Sequence, residues 1–222
     1  MRVRILIASL FACLVVLLTA SLPTGSVSAA IPDPTVDAKP AAAKGRQTAV
    51  LAGGCFWCTE VVLEQLIGVE KVTSGYAGGD RKTAHYDLVA GGKTDHAEAI
   101  EVVFDPAKIS YGQILKVFFS VAHDPTQLNR QGPDWGRQYR SAIFWRDAEQ
   151  KKIAEAYIEQ LTAAKAFSKP IVTELNELTE FYPAEGYHQD FVKRNPSHPY
   201  VVVNALPKVK KLSKEFPALV KQ

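Results

Sequence analysis

The chain has 222 residues, of which 47% are hydrophobic and 22% are charged, and these values are typical of a folded protein rather than a disordered or fibrous one. Its formal net charge of +3 falls to +1 without residues 1–30, which contain two arginines and no acidic residue. This near-neutral balance argues against a general nucleic-acid-binding protein, and the length suits one domain with a sizeable core.

Residues 1–30 have the pattern of a signal peptide. The two arginines precede an apolar run of 16 residues at 5–20, and small residues follow at 27–30. A spanning helix needs about 20 apolar residues, so we expect cleavage after Ala29 or Ala30 rather than a retained membrane anchor. The predicted location of the protein is therefore the periplasm or the extracellular medium.

The remaining chain is predicted to form one domain at 47–205, between a flexible proline-containing linker at 31–46 and a basic tail at 206–222. Hydrophobic periodicity predicts strands at 48–51, 69–76, 98–104, 141–145 and 171–175, and helices at 55–67, from Ser110, at 147–164 and at 187–193. We expect a long loop over 123–138, and a terminal helix in the tail that lies on the domain.

The predicted element order begins βαββαβ, which is the order of a ferredoxin-like fold. We therefore expect an α/β (α+β) protein: a two-layer sandwich of a mixed sheet with helices on one face, followed by long C-terminal extensions.

Two cysteines, Cys55 and Cys58, remain after removal of the predicted signal peptide, and Cys55 lies at a predicted helix start. Unpaired N–H groups and the helix dipole favour a thiolate there, so we expect a lowered pKa for Cys55 and a nucleophilic role. Cys58 follows one turn later and could attack a sulfur species on Cys55.

The cysteine pair has three other interpretations. A structural disulfide is disfavoured, because so short a loop removes little entropy from the unfolded chain. A zinc site is also disfavoured, because none of the five histidines form a pair at the spacing that zinc ligands usually have. A thioredoxin-like dithiol stays open on this motif alone.

Six short blocks give the chain a specific resemblance. They are GCFW at 54–57, SGYAGG at 74–79, HAE at 96–98, HDPT at 123–126, QYRS at 138–141 and YHQ at 187–189. In this order, over about 48–195, they resemble the type A peptide methionine sulfoxide reductases, in the subgroup with the motif GCFWC. The resemblance implies an α/β enzyme that reduces methionine S-sulfoxide, free or in oxidised proteins and peptides, and so repairs them. It also implies no metal or other cofactor, a thioredoxin-like dithiol donor as reductant, and a monomer.

The same resemblance implies roles for the residues that match the motifs. Cys55 matches the nucleophile that attacks the sulfoxide sulfur, and Glu98 matches the acid that protonates the sulfoxide oxygen. Tyr86 and Tyr139 match two phenols that bind this oxygen. Many members resolve the resulting sulfenic acid with C-terminal cysteines, but here only Cys58 is available.

Three further residues match the substrate-binding positions of the family. Phe56 and Trp57 match the aromatic pocket for the substrate methyl group, and Asp134 matches a carboxylate that binds the substrate backbone amide. Pro133 departs from the usual asparagine, and Asp95 from the usual glycine before the HAE block.

Two functions of other classes compete with the sulfoxide reductase. One is a general thiol–disulfide oxidoreductase, and the other is a non-enzymatic binder of methionine-rich peptides with a redox latch.

Overall fold

A computed structural model describes residues 31–38 and 45–222. The predicted signal peptide lies outside the described residues. The strands are β1 (Gln47–Gly53), β2 (Val69–Ala77), β3 (Ala97–Phe104), β4 (Arg130–Gln131), β5 (Asp134–Trp135), β6 (Ser141–Trp145), β7 (Glu174–Glu177) and β8 (Phe181–Pro183). The α-helices are α1 (Phe56–Leu63), α2 (Tyr86–Ala90), α3 (Tyr111–Val117), α4 (Ala148–Ala163), α5 (Phe191–Arg194) and α6 (Leu206–Glu215).

Six strands form one sheet in the order β7-β6-β1-β3-β2-β8, and β4 pairs with β5 separately. All neighbours in the large sheet are antiparallel except β6 and β7, which are parallel. The central order β6-β1-β3-β2, with α1 and α3 as the connecting helices, is that of the ferredoxin-like sandwich. The predicted α/β fold with a mixed sheet is confirmed.

The central strand β1 is buried on both faces of the sheet. Ala49 and Leu51 belong to the large core under the helices, whereas Val50 and Ala52 belong to a smaller apolar cluster on the opposite face. This division follows from the alternation of side chains along a strand. One layer of helices therefore covers one face, and Leu178 in the turn before β8 and Phe181 of β8 help to cover the other.

The strongly periodic elements lie close to their predicted positions. Ser110 caps α3 with a reciprocal capping box to Gln113, and Asp147 caps α4. The helix that starts after Cys55 ends at Leu63, earlier than its predicted end at residue 67. The last strand in the predicted set starts at Glu174 instead of residue 171, and the short helix predicted at 187–193 starts at Phe191.

Residues 31–38 pack against the domain, whereas the sequence predicts a flexible linker over 31–46. The Asp37 carboxylate accepts from the Gly112 N–H at 2.9 Å, at the start of α3. The Tyr157 hydroxyl of α4 donates to the Pro32 carbonyl at 2.8 Å. These contacts satisfy groups that a free linker would leave to water.

The C-terminal segment also packs on the domain. Leu212 of α6 is buried in the main core, and Val220 makes a bridge to Leu66 beyond α1. Among the described residues, no helix combines the length and the apolar character needed to cross a membrane.

Candidate active site

A glycine turn between β1 and α1 presents Cys55. Gly54 has a φ of +85°, and a Cβ at this position would lie 2.4 Å from Cβ of Gln131. Cys55 is the N-cap of α1, and Cys58 donates its N–H to the Cys55 carbonyl at 3.1 Å. Both thiols are free, and their residues are only 8% and 2% exposed. The turn therefore places a nucleophile at a helix start inside the protein.

Glu98 lies beside this helix start, at the beginning of β3. Its Oε2 accepts from the Phe56 N–H at 3.1 Å, and the residue is 2% exposed. Burial raises the pKa of Glu98 to about 8, although the Phe56 hydrogen bond acts in the opposite direction. At neutral pH this carboxyl group is protonated and can donate a proton.

The two thiols have opposite pKa shifts in the resting protein. Burial raises the pKa of Cys55 well above its usual value, with a hydrogen bond to Cys58 and the charge of Glu98 acting in the same direction. The hydrogen bond from Cys55 lowers the pKa of Cys58, and the positive charge of Lys208 adds to this. The predicted lowering of the Cys55 pKa is wrong for this state, because desolvation outweighs the helix start.

Both thiols open onto a cavity of about 60 Å³ that Asp134 and Tyr200 also line. The Tyr200 hydroxyl donates to Oδ2 of Asp134 at 2.6 Å, and Cys58 Sγ lies 3.9 Å from this hydroxyl. Burial raises the pKa of Asp134, while the Tyr200 hydrogen bond lowers it. Asp134 is therefore held next to the cysteines with its other carboxylate oxygen available.

Aromatic rings form a wall next to Cys55. The indole of Trp57 stacks on Phe191 with ring centroids 3.7 Å apart, and the buried Phe56 ring lies 6.2 Å from it. The ring of His188 packs against this pair, and its centroid lies 5.0 Å from that of Phe56 and 4.3 Å from that of Tyr86. This arrangement offers an apolar surface that suits a thioether and its methyl group.

The two predicted phenols lie within the electrostatic reach of this centre. Desolvation raises the pKa of both Tyr86 and Tyr139, and the charges of Glu98 and Cys55 contribute to each shift. Both hydroxyls therefore stay protonated over the physiological range and can donate hydrogen bonds. Contacts therefore bring six of the sequence-predicted site residues together at the start of α1: Cys55, Phe56, Trp57, Cys58, Glu98 and Asp134. Tyr86 joins them through its contact with His188, and Tyr139 is linked to them by the effect of their charges on its pKa.

Sequence reasoning missed four residues of this centre: His188, Phe191, Tyr200 and Lys208. His188 lies in the YHQ block, which supports the family resemblance without indicating a role for this residue. Tyr200 follows the six sequence blocks, and Lys208 lies in the predicted basic tail. The packing of α5, α6 and the π-helical turn Val201–Ala205 against α1 brings this C-terminal part of the chain into the site.

Residues 31–38 and 45–222 contain no group of three or more His, Cys, Asp or Glu side chains that could hold a metal ion. The chemical groups at the start of α1 are two thiols, a protonated carboxyl group, hydroxyl donors and an apolar wall. They suit nucleophilic attack by sulfur on a group whose oxygen must be protonated before it leaves.

A family described as peptide methionine sulfoxide reductase matches this chain by its sequence model over residues 47–219. Peptide methionine sulfoxide reductase MsrA 2 of Synechocystis sp. is 58% identical over 191 residues, which are 85% of this chain and 89% of the relative. MsrA 2 of Mesorhizobium japonicum is 54% identical over 178 residues, which are 80% of this chain and 91% of the relative.

Two solved structures are similar to this chain in fold and in sequence. Reduced Mxr1 from Saccharomyces cerevisiae is 33% identical with a TM-score of 0.63, over 74% of this chain and 92% of that one. Methionine sulfoxide reductase A of Corynebacterium diphtheriae is 34% identical with a TM-score of 0.60, over 76% of this chain and 85% of that one.

Proposed function

Because the chain belongs to the peptide methionine sulfoxide reductase family, we propose that Cys55 is the nucleophile of its reaction and Glu98 the proton donor. The chain is a peptide-methionine (S)-S-oxide reductase, an oxidoreductase that converts methionine sulfoxide to methionine by thiol chemistry. The observation that carries the residue roles is the hydrogen bond from the Phe56 N–H to Glu98, which fixes a protonated carboxyl group beside Cys55.

The first half-reaction moves one oxygen atom from the substrate to the enzyme. Cys55 Sγ attacks the sulfoxide sulfur as Glu98 protonates the oxygen, which makes this oxygen a better leaving group. The oxygen ends on Cys55 as a sulfenic acid, and methionine is released. Overall, the thiol proton of Cys55 becomes the sulfenic acid proton, so that Glu98 returns to its protonated form.

The surrounding side chains bind the substrate. Phe56 and Trp57 contact the methyl group, and the hydroxyls of Tyr86 and Tyr139 donate to the sulfoxide oxygen as its charge develops. Asp134 accepts from the backbone N–H of a peptide substrate with the oxygen that Tyr200 leaves available.

The second half-reaction restores the enzyme. Cys58 attacks the sulfenic sulfur of Cys55, water leaves, and a Cys55–Cys58 disulfide forms. The sequence supports this role because no cysteine follows Cys58, and the lowered pKa of Cys58 supports it because the thiolate is the attacking form.

A thioredoxin-like dithiol donor then reduces the disulfide. The pKa of Cys58 is the lower of the two, and a thiol with a lower pKa leaves faster, so the donor attacks Cys55 and Cys58 leaves.

The sequence pattern of residues 1–30 supports export, so the enzyme would work in the periplasm or outside the cell. Its substrates there would be oxidised proteins and peptides, and its dithiol donor would be an extracytoplasmic protein.

Turnover of the two sulfoxide epimers of a blocked methionine, measured separately with a dithiol reductant, tests the proposed function. We expect reduction of the S epimer alone, because each epimer has its own enzyme, and loss of turnover in Cys55→Ser with the fold retained. Multiple turnover by Cys55→Ser would remove Cys55 as nucleophile. Reduction of insulin disulfides faster than of the sulfoxide would favour a general thiol–disulfide oxidoreductase instead.

A further inference from the structure

One lysine of α6 reaches the cavity that contains the two thiols. Lys208 is half-buried and lines this cavity with Cys55, Cys58, Asp134 and Tyr200. The other lysines of α6, at 210, 211 and 214, are exposed. The sequence pattern alone does not distinguish Lys208 from these neighbours.

The ammonium group of Lys208 is fixed in place by the backbone. Its Nζ donates to the Ala122 carbonyl at 2.6 Å, at the end of the π-helical turn that continues α3 over Phe118–Ala122. Carbonyl groups at a helix C-terminus favour a cation. A lysine has three donors, so this contact uses one of them and leaves two.

Several titratable groups face Cys58, and they differ in sign. The Cys55 thiol donates to Cys58, and Tyr200 lies 3.9 Å from its sulfur. Two acids are near it: Asp134 in the cavity, and the buried Glu98, whose pKa the charge of Cys58 helps to raise. Lys208 contributes a positive charge, while burial lowers the pKa of the nearby His123 to about 3 and so keeps that ring neutral. Lys208 is therefore the cation that offsets the charge of Asp134 at Cys58.

We propose that Lys208 is a positioning residue for the second half-reaction, in which its ammonium group stabilises the Cys58 thiolate that attacks the sulfenic acid of Cys55. The inference rests on the proposed function, in which Cys58 resolves this intermediate. A bond forms between the two sulfur atoms, and the S–O bond of Cys55 breaks. The hydroxide leaves as water with one proton, and Cys58 is oxidised as the sulfenic sulfur is reduced, so no further oxidant is needed.

The test compares Lys208→Met, Lys208→Arg and Lys211→Met in the full chain carrying Cys13→Ser, so that Cys55 and Cys58 are its only cysteines. Lys211 is the matched control because its Nζ also joins α6 to this turn, by donating to the Ser120 carbonyl at 2.5 Å, but it does not line the cavity. A merely structural role for Lys208 would therefore be shared by Lys211.

The first readout is the ultraviolet titration of the Cys58 thiolate in each variant combined with Cys55→Ser. Removal of the charge in Lys208→Met should move the titration midpoint up by about one pH unit, the low end of the shift that a close opposite charge causes. Lys208→Arg should keep the midpoint because the positive charge remains, and Lys211→Met should not move it.

The second readout is the rate at which the sulfenic acid becomes the disulfide, from acid-quenched samples analysed by mass spectrometry. Well below the midpoint, Lys208→Met should have about tenfold less thiolate, but each thiolate is about threefold more reactive, so disulfide formation slows about threefold. Above both midpoints the order should reverse. The pH profiles of the two proteins therefore cross, and a loss of the positive charge near Cys58 predicts this crossing whereas a merely structural effect does not.

The outcomes separate this inference from the function on which it rests. Parallel slowing of Lys208→Met and Lys211→Met at every pH, or an unmoved midpoint in Lys208→Met, would overturn the role of Lys208. If Cys58→Ser leaves the lifetime of the sulfenic acid unchanged, the resolving role of Cys58 itself fails. If Cys58→Ser prolongs this lifetime and Lys208→Met does not, only the inference about Lys208 fails.

Discussion

The proton on Glu98 sets the pH range of the first half-reaction. Burial raises the pKa of Glu98 to about 8, so the donating form is present below this pH and is lost as the pH rises through it. Because the raised pKa of Cys55 makes its thiolate fraction grow over the same range, we expect the single-turnover rate of methionine release to rise with pH and to level off at this midpoint. Glu98→Gln should be slower by about 10²–10⁴-fold, and its rate should keep rising through this pH. An unchanged rate in Glu98→Gln would show that another group supplies the proton.

Trp57 forms the apolar wall because its ring is held flat against Phe191, with 3.7 Å between centroids. Trp57→Ala should raise KM and lower kcat, since the ring contacts the substrate in both the ground state and the transition state. Trp57→Phe should retain most of the activity. Steady-state kinetics on the S epimer check this, and a loss confined to thermal stability would mean that Trp57 is only a core residue.

At the level of elements, the turn between β1 and α1 depends on Gly54. Gly54→Ala introduces both a strained backbone, at a φ of +85°, and a collision with Gln131 at 2.4 Å. Gly45 is the matched control because its φ is +91° and no atom lies within 4 Å of the added Cβ.

We expect Gly45→Ala to lower the free energy of unfolding by about 1 kcal/mol. Gly54→Ala should lower it by about 1–2 kcal/mol more and should also slow methionine release, because the turn positions Cys55. Denaturant unfolding and single-turnover assays provide the comparison. Equal losses of stability in the two variants would show that the contact with Gln131 does not constrain the turn.

Elements whose signal is local were predictable from sequence. The alternation in β3, the Ser110 cap and the Asp147 cap each determine an element within a few residues. In contrast, β7 is only four residues long and half-exposed, and its position is set by its parallel pairing with β6. Short strands of this kind depend on tertiary contacts and leave little periodicity to detect.

The candidate site shows the same division. Cys55, Cys58 and Glu98 were predictable because their motifs are specific and their chemistry is recognisable. Tyr200 and Lys208 were not, because each is separated from Cys58 by more than 100 residues of chain and no local pattern marks them. Their roles depend on how α6 and the turn before it pack against α1.

For the whole molecule, a second buried carboxyl group links stability to pH. Glu60 is 3% exposed, accepts from the Asp190 N–H at 3.1 Å, and has a pKa that burial raises to about 7. The folded protein therefore binds a proton that the unfolded chain releases near pH 4.5. The contribution to stability is full below this pH and is lost as the pH rises to about 7.

Glu60→Gln should remove this loss. We expect the free energy of unfolding of the wild type to fall by about 3 kcal/mol more than that of Glu60→Gln between acidic pH near 4 and neutral pH above 7. Urea unfolding across this range measures the difference. Parallel pH profiles for the two proteins would show that Glu60 ionises freely in the folded state.

The central claim is that Cys55 takes the sulfoxide oxygen and Cys58 removes it, and mass spectrometry after one turnover without reductant tests it most directly. The unmutated protein should release about one methionine per enzyme and become two hydrogen atoms lighter, with Cys55 and Cys58 crosslinked. Cys58→Ser should release the same amount and carry a sulfenic acid on Cys55. A stable Cys55 sulfenic acid in the unmutated protein, together with normal recycling by a thioredoxin-like donor in Cys58→Ser, would contradict the account.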